Sequence, residues 1–223
     1  MKHQSRGQHP LQYLRTLSGV VGMLRNPEAT ESVFDIEDGL RGTGAMDAFL
    51  ERVRASEAVR ELMAERYLAP PVDPQALAAL PEGSLGYALA HHLLDHGFDA
   101  DYFRKVEVQS DLDWVLMRMR QSHDLWHVVT GIGIDREGEI ALKAFELAQT
   151  WRPMAAVITC GGLLRYLLKD PDRLGLVLAA IARGYQLGLA AEPLLAQRWE
   201  LGWERPLQQW RQQLGLPPEG AGC

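Results

Sequence analysis

Apolar residues recur at helical spacing along most of the chain, and the two-residue alternation of a half-buried strand is hard to find. The pattern predicts an all-α fold. Helices are expected over Pro10–Leu24, Ala45–Arg54, Ser56–Glu65, Leu85–His96, Asp111–Val129, Glu139–Thr150, Pro153–Leu168, Leu174–Leu189 and Leu194–Gln213. Asn26-Pro27, Ala69-Pro70-Pro71-Val72-Asp73-Pro74, Leu80-Pro81-Glu82-Gly83-Ser84 and Asp170-Pro171 fall between these stretches, where proline's fixed φ and missing N–H halt a helix. Ser84 is placed to cap the helix that starts at Leu85. The Pro-rich 70–81 connection would divide the chain into halves too small for independent cores. One domain is therefore expected over residues 28–214, with a separate N-terminal segment at 1–27 and a flexible Gly/Pro-rich tail at 215–223.

Composition narrows the function classes. At 223 residues, 47% hydrophobic and 23% charged, the chain can build a full core. Its net charge of −6 speaks against a nucleic-acid binder that works by neutralising phosphates. The first 27 residues carry Lys2, Arg6, Arg15 and Arg25 with no Asp or Glu, so this end could touch anionic lipid or stand as a loosely ordered terminus. The LSGVVGML stretch is flanked by Arg15 and Arg25 and forms no signal-type apolar run, so no targeting peptide is expected. The greasiest region, Leu174 to Leu195, is interrupted by Arg183, Gln186 and Glu192, which makes it a poor spanning helix and a good buried or membrane-touching one. Cys160 and Cys223 make no disulfide framework and fit a reducing cytosol. A cytoplasmic protein with peripheral contact on the inner face of the membrane is expected.

The candidate chemistry lies in HDLWHVVTGIGIDREGE, residues 123–139. Positions i and i+4 of a helix differ by about 40° in azimuth, so His123 and His127 can aim ring nitrogens at one point. Asp124 lies about 100° from His123 and about 60° from His127, on the same broad face. Such a set suits Zn²⁺, Fe²⁺ or Mn²⁺, although a pair of core or solvated histidines would show the same spacing. Asp124 could ligate, accept a proton, or fix a histidine tautomer. Glu139 follows a loop containing Gly131, Gly133 and Gly138 and can swing back as a further ligand. It also shares a stripe with Lys143, Glu146 and Thr150, and an i,i+4 Glu–Lys pair worth about 0.2–0.5 kcal/mol is what solvated helix faces carry. The residues alone leave both readings open. Arg120, about 60° round from His123, is a candidate to grip an anionic substrate group, with a helix-surface arginine as the alternative; Arg118 points the opposite way. His91, His92 and His96 form a second cluster, read here as the solvated end of a helix stopped by Gly97 rather than a second metal site.

Residues 118–154, RMRQSHDLWHVVTGIGIDREGEIALKAFELAQTWRPM, resemble the motif region of the coenzyme Q biosynthesis protein four (Coq-four) family. Its signature of HD, two residues, H, eleven residues, E falls on His123, Asp124, His127 and Glu139 without a gap. The resemblance extends upstream to LPEGSLGYALA (Leu80 to Ala90) and downstream through Cys160-Gly161-Gly162 and the Trp/Arg-rich C-terminal helix, covering the chain from about Glu28 onward. It implies an all-α protein, peripherally membrane-associated and needed for ubiquinone synthesis. It further implies a metal site between two adjacent helices, Zn²⁺ before Fe²⁺ or Mn²⁺, on His123, Asp124, His127 and Glu139. Asp124 and Arg120 would be catalytic, and Arg120 and Lys143 would face the substrate. The implied reaction replaces the C1 carboxyl of a polyprenylated 4-hydroxybenzoate-type precursor by hydroxyl; the alternative role is a non-catalytic, prenyl-lipid-binding scaffold. The implied partners are a prenylated aromatic lipid, other ubiquinone biosynthesis proteins and further copies of the chain in a homo-oligomer, with no nucleic acid. By analogy, small residues between Ala155 and Leu195 would leave a groove for the prenyl tail. A phosphohydrolase of the HD type is a looser fit, tracing His92 or His96, His123-Asp124 and Asp170 or Asp172 and leaving His127 and Glu139 unassigned.

Overall fold

The ends of the helices show why they form where the pattern places them. Ser56, Ser84 and Asp135 each accept a backbone N–H from the first turn that follows, and Ser110 with Asp113 makes a reciprocal capping box. The computed structural model describes residue 22 and residues 30–218, apart from 101 and 104. The expected helix over Pro10–Leu24, the basic residues of the first segment and the last five residues with Cys223 lie outside the described residues, Gly22 aside. From residue 30 on, the described residues form ten α-helices in order: α1 (Thr30–Leu40), α2 (Gly44–Arg54), α3 (Glu57–Ala64), α4 (Pro74–Ala78), α5 (Leu85–His96), α6 (Asp111–Thr130), α7 (Arg136–Thr150), α8 (Pro153–Lys169), α9 (Leu174–Ala190) and α10 (Leu207–Gln213). Among the described residues there is no strand, only an antiparallel bridge between Ser84 and Pro206. The fold is all-α in one domain.

One expected helix needs correction, and two helices form where none was expected. The helix over Leu194–Gln213 is broken into two 3₁₀ turns, Leu194–Ala196 and Trp199–Leu201, and the short α10, because Pro193, Gly202 and Pro206 interrupt it. α1, over the acidic run Asp35, Glu37, Asp38, lies where no helix was expected. α4 sits in the Pro-rich connection, where Pro74 occupies the first turn and Asp73 accepts from the N–H groups of Gln75 and Ala76. Proline starts this helix.

α6 forms the centre. Its Trp114, Val115, Leu116, Leu125, Trp126 and Val129 are buried in one core with Ala141, Leu142 and Phe145 of α7 and Trp199 from the C-terminal region. Behind α7, α9 approaches backbone to backbone: a Cβ on Gly184 would lie 2.0 Å from the Ala141 carbonyl oxygen. No side chain fits there. Gly184→Ala is expected to force the helices apart and cost about 1–3 kcal/mol, read as a lower denaturant midpoint; an unchanged midpoint would mean the helices separate freely. The outer face of α9 leaves Leu176, Leu178 and Leu189 exposed. No helix among the described residues is long and apolar enough to cross a membrane.

Candidate metal centre

α6 is continuous from its capping box to Gly131, whose φ of 71° ends it in the left-handed region that glycine tolerates. His123 and His127 therefore stand one turn apart, their rings 4.9 Å between centroids and nearly perpendicular. The chain then turns within five residues into α7. This return is tight: a Cβ on Gly138 would meet the Gly133 carbonyl oxygen at 2.0 Å, while the Asp135 side chain accepts from Gly138 N–H at 2.7 Å. Glu139, in the first turn of α7, is thereby brought back to the histidine pair.

Glu139 Oε1 lies 3.1 Å from His127 Nε2, and Oε2 lies 3.8 Å from His123 Nε2. One ligand atom from each of the three residues falls within 4.8 Å of the others, a set that could hold a metal ion. The fit can be tested on His127. Its Nδ1 lies 3.0 Å from the Ile132 carbonyl, which can only accept, so Nδ1 donates there and Nε2 is left aimed at Glu139. That Nε2 is buried and makes no hydrogen bond, although a carboxylate oxygen faces it. A metal cation, or a second ring proton on His127, would join these two atoms. Burial, reinforced by Lys143, pushes His123 down to about 4 against the pull of Glu139, so its imidazole is neutral near pH 7. Burial works to raise Glu139, but the two histidines and Lys143 bring it down to about 2. A neutral His123 and an ionised Glu139 are protonation states that metal binding requires.

The other expected site residues are placed differently. Asp124 turns from this trio towards His92, with Oδ1 3.7 Å from His92 Nε2. Burial favours its neutral form, yet the neighbouring histidines hold it below the usual carboxylate range. Arg120 is buried and donates to Glu37 of α1, with its guanidinium 4.6 Å from the centroid of Phe34. Lys143 Nζ donates to Glu146 at 3.0 Å. His91 and His96 stand at the exposed end of α5, but His92 turns inward and stacks on His127 at 5.8 Å. Among the described residues, Asp170 and Asp172 join no metal-ready group, so the phosphohydrolase tracing finds no assembled site.

These groups open on a cavity of about 1190 Å³. Its apolar wall includes Phe34, Phe98, Met119, Trp126 and Ile158, and Gly161 and Gly162 of α8 complete one side. The volume exceeds the roughly 300–1,000 Å³ of ordinary small-molecule pockets.

The family model described as coenzyme Q (ubiquinone) biosynthesis protein Coq4 matches residues 9–219. The chain belongs to the Coq4 family. It is 31% identical to the mitochondrial ubiquinone biosynthesis protein COQ4 homolog of Drosophila ananassae, over 78% of this chain and 66% of that relative. It is 27% identical to mitochondrial COQ4 of Mycosarcoma maydis, over 92% of this chain and 65% of the relative. The crystal structure of a putative ubiquinone biosynthesis protein from Nostoc punctiforme superimposes with a TM-score of 0.82 at 32% identity, covering 91% of this chain and 97% of that one. The chain spans a little under two thirds of the length of the first curated relatives it matches. Those Coq4 relatives are named as mitochondrial, which overturns the expected cytoplasmic location. Cysteine usage separates oxidising from reducing compartments and does not choose among the reducing ones.

Sequence reasoning missed Glu37, Arg152 and the inward turn of His92. Glu37 sits in an acidic run that reads as solvated surface, and Arg152 precedes a helix-starting proline with no periodicity of its own. Both are buried. For His92, the i,i+4 spacing to His96 was a signal, but only the packing of α5 on α6 turns it towards Asp124.

Proposed function

We propose that this Coq4-family chain acts in ubiquinone synthesis, replacing the C1 carboxyl of a polyprenylated 4-hydroxybenzoate-type precursor by hydroxyl. The observation that carries this reading is the metal-ready trio of His123, His127 and Glu139, with His127 Nε2 facing Glu139, beside a large cavity whose wall also holds Arg120 and Lys143. His123, His127 and Glu139 would hold a divalent metal, Zn²⁺, Fe²⁺ or Mn²⁺, with Asp124 able to join by turning from His92. When bound, the metal supplies Lewis-acid polarisation of the ring oxygen. Lys143 and Arg120 orient the carboxylate, the apolar wall receives the prenyl tail and excludes water, and Asp124 beside His92 takes the proton released at the ring oxygen. The exchange is a two-electron oxidation: ArCO₂H and water give ArOH, CO₂, two protons and two electrons, and dioxygen is the acceptor to be tested.

Purified chain loaded separately with each metal and given the prenylated carboxylate under air is expected to release CO₂ and form the hydroxylated ring, and to do neither under argon. No product with any of the three metals would sink the catalytic reading. A scaffold reading draws on a different observation, the exposed apolar face of Leu164, Leu167 and Leu168 on α8 and Leu176 and Leu178 on α9, which offers a surface to other ubiquinone biosynthesis proteins. A site variant that folds, loses metal and still supports quinone formation would favour it.

A further inference from the structure

The turn that closes α6 is held from a distant part of the chain. Thr130, Gly131 and Ile132 lead from α6 into the loop before α7, and the Ile132 carbonyl is the partner of His127 Nδ1. Within the turn, Thr130 Oγ1 donates to the Trp126 carbonyl at 2.6 Å and accepts from Ile132 N–H at 3.2 Å. Gly131 N–H donates to the His127 carbonyl at 2.9 Å. These bonds shape the turn locally. A further contact comes from Arg211 of α10, 81 positions from Thr130 and only 4% exposed. Its Nη2 donates to the Thr130 carbonyl at 3.4 Å, and its Nε donates to the Pro217 carbonyl at 2.8 Å. The guanidinium lies against the bare Cα of Gly131, where a Cβ would meet Nη1 at 3.2 Å and Nη2 at 3.4 Å. Gly131 thus answers two demands, a left-handed φ and room for Arg211.

Capping of a helix end does not account for this arrangement. Gly131 is exposed, so water could satisfy the last carbonyls of α6. A buried guanidinium gives up its hydration instead, a cost that one long hydrogen bond to a carbonyl does not offset. What Arg211 holds is the backbone on which the orientation of His127 depends. The His127 ring is buried with Nε2 aimed at Glu139, and if the Ile132 carbonyl shifted, the ring could turn Nε2 away from the trio. Partners beyond the ligands fix ligand rings in this way.

We propose that Arg211 is a positioning residue of the metal centre. By tying the Thr130–Ile132 turn to the C-terminal segment at Pro217, it keeps the Ile132 carbonyl on His127 Nδ1 and Nε2 directed at Glu139. The inference rests on the metal reading above and adds to it a residue outside the cavity lining.

Two readouts on the purified chain test it. Zinc affinity is measured by competition with a chromophoric chelator, and Arg211→Met is expected to bind Zn²⁺ about 10–100-fold more weakly than the wild type. Ring N–H groups of the zinc-free protein are followed by ¹⁵N NMR, with the His127 signal identified by its absence in His127→Gln. The wild type should show a slowly exchanging His127 Nδ1 proton, and Arg211→Met should lose it. Leu207→Ala, which truncates a buried core residue at the start of α10, separates positioning from stability. It should melt lower than the wild type and keep both the affinity and the slow proton. Arg211→Lys keeps the charge but reaches one carbonyl where arginine reaches two, so it should weaken zinc binding in the same direction. This milder variant decides the matter should Arg211→Met not fold. Wild-type affinity with a slow proton in the Arg211 variants overturns the proposal. So does an equal loss in Leu207→Ala, since the turn would then answer only to the stability of α10. A wild type that binds none of Zn²⁺, Fe²⁺ and Mn²⁺ would sink the metal reading and the proposal with it, an outcome distinct from zinc binding that ignores Arg211.

Discussion

His127→Ala is expected to abolish ubiquinone formation in cells that lack their own family member, while the wild-type chain restores it and the variant accumulates a carboxylated prenyl precursor. The reason is local. His127 is 3% exposed, its Nδ1 is anchored on the Ile132 carbonyl, and its Nε2 faces the Glu139 carboxylate. Alanine removes the innermost nitrogen of the trio and leaves Glu139 opposite a void. Changes to residues that merely support metal ligands cost about 10–100-fold in metal affinity, so loss of a direct ligand should cost at least about 100-fold. Metal content of the purified variant and its circular dichroism separate this from unfolding. Equal rescue by both forms would remove the metal from the mechanism and leave a scaffold.

Glu37→Gln, at the buried carboxylate behind the cavity wall, should produce a large loss of stability. Glu37 is fully buried and is the shared acceptor of Arg120 and Arg152. Neutralising it leaves two guanidiniums facing an amide at a buried position, and breaking a buried ion pair from one side costs about 3–5 kcal/mol. At about 2–4 °C per kcal/mol for a chain of this size, the melting temperature should fall by roughly 6–20 °C. A fall of less than about 2 °C would mean that water reaches the network and the charges are screened. The same residues set an acid limit. Burial acts to raise both Glu37 and Glu146, but their cationic partners prevail and hold both below 4.5, Glu146 at about 2. Their contribution is complete above 4.5 and is lost as pH falls towards about 2, so wild-type stability should drop across that window and Glu37→Gln should show a shallower drop.

The way α6 and α7 bring their residues together shows how much of the site is legible in one dimension. The i,i+4 spacing places His123 and His127 on one face whatever they pack against, because helical geometry is local. Gly131, Gly133 and Gly138 mark a turn tight enough to return Glu139, and capping by Asp135 starts α7 at Arg136, three residues earlier than the periodicity alone indicates. Asp124 was legible as a neighbour of the pair but not as a partner of His92, since that contact depends on how α5 lies against α6.

Helical class, most helix limits and the shared face of His123 and His127 were determined by the sequence, because each depends on hydrogen bonds and side-chain spacings that span only a few residues, whereas the residues alone left the return of Glu139 open. Only the tertiary structure decided that the acidic run of α1 supplies the buried Glu37, that Arg152 turns inward at Trp151, and that Arg120, Arg152 and Lys143 are joined through Glu37 and Glu146 beside a cavity. Those outcomes join residues up to 115 positions apart. Burial and charge balance at such distances are properties of packed helices and leave no periodic trace in the chain.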